Sequence, residues 1–235
     1  MKARATVRLA GGLAGGAAAV SASVLLLRRW QRRWNATAEE IALPLPLDDE
    51  VSEPTYVTNR AITVPARPED LWPWIAQMGE LPRGGFYSYV TVERLLGMKV
   101  RNAVRILPGL ERPKAGETID RAGTMLVKAI EPNRVLVLGP PPSTDLAVTW
   151  AIALFPSGDG STRLLSRCRA RLPRGPRGVL MSLVLDPGQF LMERKMLLEL
   201  RRRGLWRAAA RPIGELPWEL PPAEMSPGAE PVTTN

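Results

Sequence analysis

From Leu9 to Leu27 the chain runs nineteen residues without a charge, LAGGLAGGAAAVSASVLLL, and cations bracket the run on both sides. As a helix it spans roughly 28 Å at about 1.5 Å per residue, close to a hydrocarbon core of about 30 Å. Its four glycines and many alanines make it only moderately apolar, but small residues suit close packing of membrane helices. Residues 1–33 hold Lys2, Arg4, Arg8, Arg28, Arg29, Arg32 and Arg33 and no acid. The rest of the 235-residue chain has 25 basic and 23 acidic residues, so the net charge of +9 is concentrated around this run. Trp30 and Trp34 follow it, where indole rings favour the headgroup level.

The pattern predicts a retained, single-pass membrane helix over residues 9–27. A cleaved signal peptide is the rival, because small residues around Ala17–Ser23 suit a peptidase. The Leu-rich end and the RRWQRR segment come after those sites and favour retention. Four arginines on the carboxyl-side flank tip the positive-inside tendency toward a cytoplasmic main domain.

The chain has no histidine and one cysteine, Cys168. A Ser-His-Asp or Cys-His nucleophile system is therefore excluded, as are an internal disulfide and a structural zinc site. Cys168 lies in a strand-like run and reads as a small buried hydrophobe. Outside the amino-terminal segment the charge is nearly balanced and no nucleic-acid motif is present, so nucleic acid is not an expected partner. GGLAGG lies inside the apolar run without a preceding strand, and GELPRGG lacks the Lys-Ser/Thr ending of a phosphate loop. No cofactor and no metal is expected.

Residues 1–34 thus read as an anchor, 35–57 as a linker with Pro44, Pro46 and the acidic cluster Asp48–Glu50, and 58–207 as the main domain. After Arg211 the chain is rich in Pro, Glu, Gly and Thr, which predicts a disordered tail over about 208–235. TNRAITV alternates with Arg60, Ile62 and Val64 on one side, as a strand does. Pro68, Glu69 and Asp70 open a helix whose Leu71, Trp74, Ile75 and Met78 form an apolar stripe, with Pro73 inside it and Gly79 placed to stop it. A short helix follows over about Val90–Leu96. Strand-like runs come next at Glu117–Asp120, Thr124–Glu131, Arg134–Leu138, Leu146–Phe155 and Thr162–Arg171. Ser157-Gly158-Asp159-Gly160 predicts that the last two pair as a hairpin. Arg163, Arg167, Arg169 and Arg171 share a parity, expected to be a solvated strand face, with a phosphate-binding stripe as the sharper alternative. Asp186-Pro187-Gly188 opens a last helix to about Arg203, with Met192, Met196, Leu197 and Leu200 at helical spacing.

Five of the thirteen aromatic residues fall within Trp72–Tyr89: Trp72, Trp74, Phe86, Tyr87 and Tyr89, around Arg83 and the Gly84-Gly85 pair. Such a block builds a thick core wall or one side of a binding cavity. The order strand, two short helices, antiparallel strands and long final helix resembles the START-like, or helix-grip, superfamily, which includes polyketide cyclase/dehydrase-like and lipid-transport-like proteins. TNRAITVPARPEDLWPWIAQMG, RGGFYSYVTVERLLG, the Trp150 strand and FLMERKMLLEL carry the resemblance, over roughly residues 36–207, to a bacterial, membrane-anchored branch. It implies an α+β helix-grip fold, a curved antiparallel sheet around the carboxyl-terminal helix, with an apolar cavity between them.

On that reading the partner is a hydrophobic small molecule or lipid. Trp74, Met78, Phe86, Tyr89, Trp150, Met192 and Met196 wall the pocket, and Arg83 or Tyr87 orients a polar headgroup. Each also has a plain core-packing account. The alternative is a histidine-free cyclase, dehydratase or hydrolase whose acid–base groups are carboxylates, Glu93 and Glu193 being the nearest to the apolar helices. Spacing puts Glu193 beside the stripe, in a solvated position; burial with a raised pKa would favour the enzyme reading. A third possibility is a ligand-free interaction module at the membrane, its cavity filled by side chains.

Overall fold

A computed structural model describes residues 19–210. It is an α+β fold of one five-stranded antiparallel sheet and a long carboxyl-terminal helix, in the order β1-β5-β4-β3-β2. The strands are β1 (Tyr56–Val64), β2 (Leu126–Glu131), β3 (Val135–Gly139), β4 (Val148–Pro156) and β5 (Thr162–Ala170). The helices are α1 (residues 19–32), α2 (Ala38–Ala42), α3 (Pro68–Ala76), α4 (Val90–Leu95) and α5 (Pro176–Ala209). The arrangement fits the helix-grip expectation. Of the predicted membrane segment, residues 9–18 lie outside the described residues, as does the tail from residue 211. No helix among the described residues is long and apolar enough to cross a membrane.

Side-chain size along β4 explains how the sheet is layered. Trp150, Ile152 and Leu154 point to one face and Ala151 and Ala153 to the other, as the two-residue period requires. The large set joins Ile62, Val64, Leu136, Leu138 and Leu164 against Leu71 and Ile75 of α3 and Met196, Leu197 and Leu200 of α5. Each fully buried side chain of this kind contributes about 1.5–3 kcal/mol. The predicted β4–β5 hairpin closes through Ser157–Ser161, where Ser157 N–H donates to Ser161 O at 2.8 Å and Gly160 takes φ +79°. Glu117–Asp120 is not a strand; it is reduced to a single bridge between Thr118 and Leu126.

The small-residue face is also covered. Residues 35–55 run across it, with Leu45 packing on Ala61, Val137, Ala151 and Leu165, and the arginines of β5 hold the segment there. Arg167, 3% exposed, donates to Asn59 Oδ1, to Asp48 Oδ2 and to the carbonyls of Glu40 and Leu43. Arg163 pairs with Glu40 at 2.6 Å, and Arg169 reaches the Val51 carbonyl at 3.2 Å. Arg163, Arg167 and Arg169 are therefore neither a solvated face nor a phosphate site, and only Arg171, past the end of β5, is exposed. The three buried or half-buried arginines tie the acidic segment over the sheet.

The last helix begins at Pro176, twelve residues before Gly188. Pro187 sits inside it, removing one backbone donor without ending the helix. On this earlier stretch Gly178, Ser182, Asp186 and Phe190 are buried at four-residue spacing while the positions between them are exposed, except the half-buried Gln189. That stripe meets α1. Arg28 Nε donates to Asp186 at 2.6 Å and Arg32 Nε at 2.7 Å, and Trp30 and Trp34 flank Phe190 with ring centres 5.1 and 6.1 Å away. Ala61 N–H donates to the Trp34 carbonyl at 3.1 Å, so α1 is joined to the sheet edge as well.

Candidate functional site

Between the sheet and α5 lies a cavity of about 280 Å³. Trp150 supplies its sheet wall; Gln189, Met192, Glu193 and Met196 its α5 wall. Phe86, Ser88, Glu93, Met98, Ile119 and Met125 close the remaining sides. The lining is mostly apolar with a few polar groups, the usual composition of a small-molecule site. Phe86 and Trp150 face each other with centres 6.5 Å apart, and Trp150 Nε1 donates to Ser166 Oγ at 2.9 Å, which fixes the indole. Ser88 Oγ donates to the Met192 carbonyl at 2.9 Å, tying the aromatic loop to α5.

Four of the nine residues expected at a pocket, Phe86, Trp150, Met192 and Met196, come together here. The other five do not line the cavity. Trp74 and Met78 are packed in the core, and Tyr89 is half-exposed at the start of α4. Tyr87 is fully buried, edge-on to Trp74, its hydroxyl donating to the Trp74 carbonyl at 3.0 Å and accepting from Gln77 Nε2 at 2.8 Å. Burial pushes its phenol up to about 12, with Gln77 and the Arg203 and Arg83 charges acting against that rise. Arg83 is also consumed internally: it donates to the Met78 carbonyl at 2.7 Å and the Ala76 carbonyl at 2.7 Å, and pairs with Glu117. It offers no cation to the cavity.

The glycines around Arg83 serve close approach. Gly79 (φ +137°) exchanges backbone hydrogen bonds with Gly85 (φ +79°), at 3.2 and 2.8 Å. A Cβ on Gly79 would stand 2.4 Å from the Ile119 carbonyl oxygen, and one on Gly85 2.6 Å from Asn102 Oδ1. Asn102 in turn accepts from Tyr87 N–H at 2.8 Å and donates to the Ser88 carbonyl at 2.9 Å. The loop carrying Phe86 and Ser88 is thus pinned, and the Gly-Gly pair is a packing requirement rather than a hinge.

Both carboxylates named from the sequence line the cavity, including Glu193, which spacing placed in solvent. Glu93 is 1% exposed, and neither carboxyl oxygen has a hydrogen-bond partner among the described residues. Burial alone raises its pKa, and because it borders a cavity rather than solid core, a ligand can reach it. Glu193 is 5% exposed and pairs with Arg60, itself fully buried on β1. Burial raises the Glu193 pKa, opposed by the Arg60 charge and by Ser166, although Oε1 completes no hydrogen bond. Arg60 also donates to the Gln31 carbonyl at 2.8 Å and stands 5.7 Å over the Phe190 ring. Cys168 is buried as expected, its thiol pushed up to about 12 by burial and by Glu193. No cluster of metal-ligating side chains occurs among the described residues.

The Arg60–Glu193 pair was open to detection in the sequence. Arg60 alternates onto the face of Ile62 and Val64, and Glu193 lies three residues from Met196 and four from Leu197. Only the register that sets them opposite each other needed the fold.

No family model matches the chain, and no curated protein matches it in sequence. Among solved structures, protein MLL2253 from Mesorhizobium loti is similar at 18% identity and TM-score 0.36, covering 63% of this chain and 96% of its own. Protein NE0264 from Nitrosomonas europaea is similar at 11% identity and TM-score 0.38, covering 69% and 99%. StfQ, a di-domain ARO/CYC of the steffimycin biosynthetic pathway, is similar at 12% identity and TM-score 0.41, covering 69% and 55%. At these scores the likenesses carry no argument about function, which rests on the cavity itself.

Proposed function

We propose that this chain is a membrane-tethered binding protein for a hydrophobic or amphipathic small molecule held between the sheet and α5. The observation that carries the reading is the cavity of about 280 Å³, with Phe86, Trp150, Met192 and Met196 as apolar walls and Glu93 unpartnered among them. A carboxyl held neutral by burial donates a hydrogen bond to a carbonyl or hydroxyl oxygen, and a charged one pairs with an amine. An acidic headgroup has no matching cation, since Arg83 is consumed elsewhere and Arg60 is paired. The polar end of the ligand is therefore neutral or cationic. Residues 9–27 supply the tether, with the main domain on the cytoplasmic side.

The test is solvent extraction and mass spectrometry of the full chain purified in detergent, beside a Met192→Trp variant that fills the cavity. A stoichiometric apolar molecule on the wild type and its loss from the folded variant is the expected result. Equal amounts on both would overturn the assignment. Glu93 and Glu193, buried with raised pKa values, favour a second reading as a cyclase- or dehydratase-type enzyme, with a neutral carboxylic acid as proton donor. Turnover of the extracted molecule, lost in Glu93→Gln while binding persists, separates enzyme from container.

A further inference from the structure

Along α1 and the first half of α5 the usual order of polarity is inverted. Asp186 is fully buried and Ser182 is 6% exposed, and both face α1, where Arg28 and Arg32 satisfy them. Val179, Leu180, Met181, Leu183, Val184 and Leu185 point outward, with Leu180 64% and Val184 68% exposed. On α1, Val20, Val24, Leu25, Leu26, Leu27 and Trp30 are likewise exposed. Contacts run in the same order along both helices, Arg28 to Ser182 and Asp186, then Trp34 to Phe190. The two helices are therefore parallel neighbours whose apolar flanks adjoin.

In water this arrangement is costly twice over, because it buries charge and exposes a contiguous apolar surface. In lipid the second cost disappears, and the buried charges are satisfied by one another within the helix pair. Polar groups must be satisfied internally there, and apolar side chains gain by facing outward. The ends of the surface carry exposed cations: Arg29 on α1 and Arg33 just past it, and Arg174 and Arg177 at the start of α5, of which Arg174 makes a loose, exposed pair with Glu53 at 3.7 Å. Cations at both ends lay the helix pair along the surface, which matches shallow seating about 5–10 Å into the headgroup and acyl boundary with arginine side chains reaching back to the phosphates. The sequence beyond α1 continues uncharged to Leu9.

We infer that the outward faces of α1 and of the first turns of α5 form one lipid-contacting surface, seated in the acyl-chain boundary of an anionic bilayer, with Arg29, Arg33, Arg174 and Arg177 at the phosphates. This extends the membrane contact of residues 9–27 to the first turns of α5, which belong to the folded domain. Gln189, on the cavity wall, lies one turn beyond Leu185, roughly 6 Å along α5. The seat therefore sets the cavity close beside the lipid surface, where an amphiphile can exchange with little exposure to water.

Site-directed labelling tests it in the full chain, reconstituted into vesicles of phosphatidylcholine and phosphatidylglycerol. Val184→Cys and, separately, Val179→Cys each carry an environment-sensitive fluorophore; both positions are exposed, and native Cys168 is too buried to react. Arg201→Cys, on the exposed far part of α5, is the aqueous control. Nitroxide-labelled acyl chains should quench both labels, and aqueous iodide should quench them several-fold less than the control. Iodide quenching equal to that at Arg201→Cys would overturn the inference. Protection from iodide without quenching by the lipid nitroxide would overturn it too, in favour of a second copy or another protein on this face. The cavity reading is judged separately by the extracted ligand, so either can fail alone.

Discussion

Removing Arg60 or Glu193 singly should have unequal effects, and the inequality is the test of how this core is built. Both side chains are at most 4% exposed, so water cannot replace a missing partner. Breaking a buried pair from one side costs about 3–5 kcal/mol, against a total stability of about 5–15 kcal/mol for a domain. For a domain of this size each kcal/mol moves Tm by about 2–4 °C, so the loss is roughly 6–20 °C. Glu193→Met leaves a guanidinium, which cannot deprotonate in a protein, so the variant's own stability should carry no pH dependence at this pair. Arg60→Met leaves a carboxyl that can escape by taking up a proton.

The direction of the pH effect follows from linkage. Burial already raises the Glu193 pKa, and Arg60 is a main opposing influence, so Arg60→Met raises it further. Above its unfolded value of about 4.3 the folded state then holds the extra proton, and stability falls as pH rises until the folded pKa is passed. Arg60→Met should therefore be mild at acid pH and severe at neutral pH. The double variant Arg60→Met/Glu193→Met, apolar throughout, should recover most of the stability. Urea unfolding at several pH values reads all three. If Arg60→Met costs less than about 1 kcal/mol at neutral pH, with no pH dependence, the pair is not buried as described.

Glu93→Gln should remove a second decline of the same sign, because a burial-raised carboxyl loses stability as pH climbs from its unfolded to its folded pKa; equal acid-to-neutral stability changes in wild type and variant would sink this. Leu200→Ala, fully buried beneath the sheet, should lose about 2–5 kcal/mol by urea titration, and an unchanged midpoint would show that face to be exposed. Gly79→Ala should destabilise measurably and loosen the Phe86 loop, seen as faster amide exchange at Tyr87 and Ser88, since its Cβ meets the Ile119 carbonyl at 2.4 Å and φ is +137°.

Alternation and helical spacing made the strands, the α3 stripe and the Leu197–Leu200 face legible, because burial on one side leaves its period in the sequence. The same logic hid what lies at element ends and between elements. Asp186-Pro187-Gly188 has the chemistry of a helix start, yet α5 runs through it, since Arg28 and Arg32 of α1 occupy Asp186 from outside. Glu193 looked solvated because a carboxylate beside an apolar stripe usually is, and nothing in the spacing marked Glu93 as buried. Their burial depends on what covers them: Arg60 from β1 in one case, the rim of the cavity in the other.

Arg83 and Glu93 make the point together, because Glu93 holds the polar place on the cavity that Arg83 was expected to hold. An arginine next to a Gly-Gly pair in an aromatic block suggests a mobile cation at a pocket mouth. Instead its guanidinium satisfies the carbonyls of Ala76 and Met78 just beyond the end of α3, where helical carbonyls lack partners. That leaves the cavity with acids and no free cation among its lining residues. Ligand polarity is therefore set by which buried charges the backbone consumes, a matter of hydrogen-bond accounting that residue type and spacing alone do not reveal. The unpartnered oxygens of Glu93 are what remains once that accounting is complete, and they are the groups a bound molecule would meet.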